Sequence, residues 1–111
     1  VKVKTSELTD IALDWAVAKC RGLTPTLHKN QYGYWVMPNI EGSYSSEWRH
    51  GGPIIERERI SISDGREFPL WTAWLAWGNR YTGKTPLIAA MRCFVASRLG
   101  DEVDIPEELL K

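Results

Sequence analysis

The chain has 111 residues, enough for one domain with a single buried core. Basic and acidic residues number 14 each, so the net charge is zero, which argues against a protein that grips nucleic acid mainly through its phosphates. No apolar run approaches the length of a membrane span, and the opening VKVKTSELTD lacks the apolar centre of a secretory signal.

Cys20 and Cys93 are too few and too far apart for a disulfide scaffold and read as buried free thiols of a reducing cytosol. Val1 in place of Met reads as a GTG start codon translated literally. His28 and His50 have no zinc-type spacing to either cysteine, so the sequence calls for no metal and no cofactor. Six tryptophans are unusual for this length and imply either a core of large aromatics or a stacking surface.

Taken in chain order, the first element is a helix between an N-cap at Thr9 and a stop at Gly22. Its apolar residues wrap widely, leaving Asp10, Asp14, Lys19 and Arg21 as the wet positions, so it should be covered on more than one side. Residues 23–30 read as loop, with Pro25 breaking regular structure. YGYWVM at 32–37 is rich in strand formers and ends at Pro38. Residues 39–46 are turn-rich, and Gly51-Gly52-Pro53 punctuates the chain again. Residues 54–63 are read as a strand with opposite charges on its two faces; a helix starting at Pro53 is the competing reading, because Glu and Arg are good helix formers. Asp64-Gly65 signals a hairpin turn. WTAWLAW at 71–77 is a strand with both faces apolar, one to be covered by helices and the other by a partner subunit or a ligand.

The segment GNRYTGKT at 78–85 spells the phosphate-cradling loop of nucleotide hydrolases. Its context does not fit. No βαβ crossover follows, no apolar strand ends in a magnesium-binding Asp, and the preceding strand is Trp-rich. The glycines and Pro86 are read as shaping a loop and a helix start. That helix is capped by Thr85, carries a stripe of Ile88, Met91, Val95 and Leu99 flanked by Leu87 and Phe94, and stops at Gly100. The tail is expected to dock through Val103, Ile105 and Leu109.

Neither histidine lies near a nucleophile in a known elbow, and no catalytic constellation emerges. The richest segment is YSSEWRHGGPIIER, 44–57. There Tyr44 and Trp48 offer rings for stacking, Ser45 and Glu56 offer polar groups, Gly51, Gly52 and Pro53 allow close backbone approach, and Arg57 offers a fork for an anion.

The blocks KVKTSELTDIALDWAVAK, GGPIIERE and TPLIAAMRCFVASRLGDEVDIPEEL resemble a small family of phage-encoded, NinX-like proteins, in the same order and across residues 2–110. The resemblance implies an accessory protein of a phage or prophage, made in the bacterial cytoplasm, and supplies no catalytic residue. The expected fold is a single α+β domain over 1–111, with an antiparallel sheet of three or four strands on two helices. The expected function is non-enzymatic: a homo-oligomer that binds and sequesters a small anionic, nucleotide-like ligand, in counter-defence, through Tyr44, Ser45, Trp48, Gly51, Gly52, Pro53, Glu56 and Arg57. Two alternatives stand beside it. One is a module that inhibits a host or phage protein through its aromatic surface; the other, ranked last, is a nucleotide hydrolase using 78–85.

Overall fold

A computed structural model describes residues 1–67, 69–76 and 78–110. Trp77, the last residue of the predicted Trp-rich strand, lies outside the described residues.

The chain begins with strand β1 (Lys2–Lys4), a 3-10 turn at Thr5–Glu7 and helix α1 (Asp10–Cys20). Gly22, at φ 79°, lets the chain leave α1 through a bond from Leu23 N–H to the Ala18 carbonyl, the stop expected from the sequence. Ala12, Leu13, Ala16, Val17 and Ala18 are all buried, so α1 is covered on several sides as its composition requires.

A two-residue hairpin follows, β2 (His28–Lys29) with β3 (Trp35–Val36). Only the end of the expected 32–37 strand is extended. Asn30 turns the rest: its Oδ1 accepts the N–H groups of Tyr32 and Tyr34, both at 3.0 Å.

The largest correction concerns 54–63. Over 54–58 the competing helix is what forms, and it starts earlier, as α2 (Trp48–Glu58), with Gly51-Gly52-Pro53 inside it; the expected strand holds only for 61–63. The pattern that decides is Gly51, Ile54, Ile55 and Glu58, the i, i+3, i+4, i+7 series of one helical face, rather than the alternation from Ile54 to Ile62. Gly51 is buried because the helix meets the chain there: an added Cβ would collide with the Tyr44 carbonyl oxygen and lie 2.6 Å from Leu87 Cδ2. Arg59 ends α2 in the left-handed region (φ 57°), with Ile60 N–H bonded to the Ile55 carbonyl at 3.1 Å. No glycine marks this stop, so nothing in the sequence announced it.

Strands β4 (Ser61–Glu67), β5 (Leu70–Trp74) and β6 (Tyr81–Gly83) form an antiparallel meander. Asp64-Gly65 is not the hairpin turn. It lies within β4, at a register irregularity between Ser63 and Glu67, and the reversal comes after Glu67, which pairs with Leu70. Helix α3 (Pro86–Leu99) covers one face of this sheet. Gly83 pairs with Trp71, and an added Cβ there would lie 2.6 Å from Ala89 N, so Trp71, Ala73 and Gly83 face α3. Thr72 and Trp74 point to the other face, where the Arg80 guanidinium lies 4.3 Å from the Trp74 ring centroid.

α3 is the centre of the core. Thr85 Oγ1 caps it by accepting Ile88 N–H at 3.1 Å, and Gly100 ends it, as expected. Its buried residues are Leu87, Ala89, Ala90, Met91, Cys93, Phe94 and Val95, a wider face than the predicted stripe. Leu99, placed in that stripe, is exposed, whereas Ala89 and Ala90 are buried between layers. The half-buried Arg92 holds two layers together, donating to the carbonyls of Leu8 (2.7 Å) and Thr82 (2.8 Å).

The tail forms β7 (Glu102–Asp104) and a 3-10 turn at Glu107–Leu110, and it buries Val103, Ile105 and Leu109 as expected. β7 pairs with β1, a contact that no local pattern of residues foretells. The described residues form an α+β fold with three α-helices and small antiparallel sheets, one helix more than expected and with the strands split among three sheets. None of the five described tryptophans is fully buried. The core is built from Leu, Ile, Val, Ala and Met with Tyr44, Cys93 and Phe94, and Trp15, Trp35 and Trp71 pack at its edge.

Candidate ligand-binding site

The residues expected to form a site are separated by the helical fold of 48–58. Tyr44 is a core residue, with the Arg21 guanidinium 5.4 Å from its ring centroid and donating to its hydroxyl at 2.7 Å, so that ring face is occupied. Trp48 opens α2 and is 55% exposed. Gly51 is buried against Tyr44, while Gly52 and Pro53 lie on other sides of the same helix turn. Glu56 and Arg57 are exposed, and Arg57 is paired with Glu58 at 3.1 Å, a carboxylate that also accepts from Arg98 at 2.8 Å. Of the set, only Ser45 lines the cleft described next.

That cleft, about 380 Å³, lies between α1 and the chain from Trp35 to Ser46. Ile11, Trp35, Val36 and Met37 form its apolar walls; Asp14, Ser43 and Ser45 form its polar floor; Asp10, Gly42 and Ser46 complete the rim. Asp14 was expected to be wet, yet it is only 7% exposed. Its Oδ2 accepts from Ser43 Oγ at 2.6 Å and its Oδ1 accepts from Ser45 N–H at 2.9 Å. Burial raises its pKa, and the hydrogen bonds from Ser43 and Ser45 oppose that rise without cancelling it. The carboxyl therefore ties the serine loop to α1.

The loop is held from its other side as well. Glu47 Oε1 accepts Ser43 N–H at 2.8 Å, and this bond, with Arg49 and His50 nearby, lowers the Glu47 pKa. Gly42, at φ 67°, passes so close to His50 that a Cβ would collide with the imidazole. Asp10, at φ 51°, is a non-glycine in the left-handed region, a conformation that Asp tolerates better than most residues. Chemically, the cleft offers carboxylate and hydroxyl acceptors beside an indole, with no Lys or Arg in its lining.

Asp14 and Trp35 were not singled out from the sequence as site residues. The available signal was a carboxylate with Ile11, Val17 and Ala18 at helical neighbour spacing, which places it on a buried stripe.

The apparent phosphate loop takes another form. Tyr81–Gly83 is an antiparallel edge strand, and Lys84 is exposed between it and the cap of α3. The nearby cavity, about 210 Å³, is lined by Asp101 and Cys93 and by no Lys or Arg. Tyr81 donates to Asp101 at 2.9 Å, and burial with that contact pushes the phenol up to about 12. Burial also pushes the free thiols of Cys20 and Cys93 up to about 11, so both are protonated at neutral pH. Among the described residues, no three His, Cys, Asp or Glu side chains converge as a metal site would require, and no helix is long and apolar enough to cross a membrane.

Fold and cleft together define a small α+β protein with one preorganised polar floor on its surface. The family model described as Bacteriophage P22, NinX matches residues 4–98, and the chain belongs to this phage protein family. The match spans every residue of the cleft and ends within α3, before β7. No curated protein matches the chain.

Proposed function

We propose that this phage protein is a non-enzymatic binder that sequesters a small ligand in the cleft beside α1. The observation carrying this reading is the buried Asp14 carboxylate, which fixes two serines as a ready-made polar floor under the apolar wall of Trp35. A volume near 380 Å³ lies at the small end of ligand pockets, which fits one ring system with a short substituent. The acids at Asp10 and Asp14 oppose a phosphate inside the cleft. The ligand is therefore better described as nucleoside-like, with its ring against Trp35 and its N–H or O–H donors toward Asp14 and Ser46, and any charged group left in solvent. On this reading the protein acts in infected cells by withdrawing the ligand, a counter-defence role for an accessory phage protein.

Thermal-shift and calorimetric titrations with nucleobases, nucleosides and their nucleotides test this. A ligand at about a hundred times its Kd adds about 2.7 kcal/mol of stability. The expected result is a shift with uncharged nucleosides that is lost in Trp35→Ala, with the ligand recovered unchanged. Absence of any shift, preference for the more highly phosphorylated ligand, or conversion of the ligand would overturn the reading.

A further inference from the structure

The hairpin of β2 and β3 holds two large rings in solvent, Tyr32 at 73% and Tyr34 at 70% exposed. They are firmly presented. Besides the two bonds to Asn30 Oδ1, Asn30 N–H donates to the Tyr34 carbonyl at 2.8 Å and Gly33 N–H donates to the Asn30 carbonyl at 3.0 Å. The backbone that carries the rings is thus ordered before a partner arrives, and only side-chain freedom remains to be lost on burial. The charged side chain on the hairpin is Lys29, and the sequence has no acid between Asp14 and Glu41.

The complement exists elsewhere on the same molecule. A groove of about 310 Å³ runs between α1 and the C-terminal 3-10 turn, with Val3, Ile11, Leu109 and Leu110 as apolar walls and Glu7 and Asp10 as its acids. Leu110 is 42% exposed in the isolated chain, and the neighbouring Glu107 and Glu108 are exposed too. The chain's own tyrosines do not fill this groove, since both stand in solvent.

We propose that the groove receives the tyrosine hairpin of a second copy of this chain. The ring is buried against Leu110 and Ile11, the phenol donates to Glu7 or Asp10, and Lys29 approaches the same acids. Ring burial supplies most of the attraction, because exposed ion pairs contribute little; the charges set orientation and salt dependence. The contact joins unlike surfaces, so it gives a dimer when exchanged reciprocally and a chain of copies when not. The groove shares Asp10 and Ile11 with the rim and wall of the cleft, but its other lining residues, Val3, Glu7, Leu109 and Leu110, lie outside it.

Sedimentation equilibrium over a wide concentration range, at low and high salt, tests the proposal. The mass should rise above 12.7 kDa with concentration, and less so at high salt. Tyr32→Ser/Tyr34→Ser should be monomeric with an unchanged melting temperature, since both side chains are exposed. Lys29→Glu and Glu7→Lys should each weaken association, and their combination should recover much of it. A wild-type chain that stays monomeric at every concentration, or a double tyrosine variant that still associates, would overturn it. Ligand titration of the tyrosine variant keeps the two proposals apart, because its cleft is intact.

Discussion

Gly51 and Gly52 are neighbours in one helix, and the structure assigns opposite outcomes to the same substitution. An Ala at Gly52 meets only Trp48 Cε3 at 3.7 Å, an ordinary contact. Replacing Gly by Ala in a helix interior then stabilises by up to about 1 kcal/mol, because less backbone freedom is lost on folding. At Gly51 the same propensity gain is available, but the new methyl collides with the Tyr44 carbonyl oxygen and lies 2.6 Å from Leu87 Cδ2. Leu87 can rotate; the Tyr44 backbone cannot easily move, since that residue is buried and its hydroxyl bonded to Arg21. Overpacking of this kind costs about 1–3 kcal/mol, so Gly51→Ala should be destabilising overall. Because the propensity gain is common to both, the two variants should differ by the overpacking cost, about 1–3 kcal/mol, in urea denaturation followed by far-UV circular dichroism. At about 4–8 °C per kcal/mol, the difference is also visible in thermal melts. Shifts of the same sign for both variants would refute the packing of α2 against Tyr44 and Leu87.

Two further outcomes follow from buried polar groups. Asp14 has its pKa raised in the fold, so the folded state binds its proton more readily than the unfolded chain, and this group's contribution favours folding as pH falls and is lost as pH rises through the raised value. Urea titrations at several pH values should therefore show wild type gaining on Asp14→Asn as the medium is acidified. A gap that is constant, or that closes toward acid, would contradict the burial argument. Thr72 Oγ1 is buried with no hydrogen-bond partner among the described residues, so Thr72→Val, which keeps the shape and removes the stranded hydroxyl, should stabilise by about 1 kcal/mol. Clear destabilisation would show that the hydroxyl is bonded in solution.

The sequence by itself determined the elements whose signals are local. Gly22 stops α1, Thr85-Pro86 opens α3 and Gly100 ends it, because capping and left-handed backbone are properties of a few consecutive residues. The tail's apolar residues and the three ordered family blocks were legible for the same reason. α2 was misread because its interior contains Gly-Gly-Pro, which by local propensity says turn. Only the close approach of Tyr44 and Leu87 explains why a glycine is needed there, and Pro53 is tolerated on the exposed side. The candidate site moved for a related reason. Stacking and anion-binding residues adjacent in the sequence were dispersed around a helix, whereas Asp14 and Ser43, 29 residues apart, were brought to 2.6 Å. Burial turned a carboxylate that looked wet into the anchor of a cleft. Burial and long-range pairing depend on how elements pack, and packing is settled by the whole chain at once.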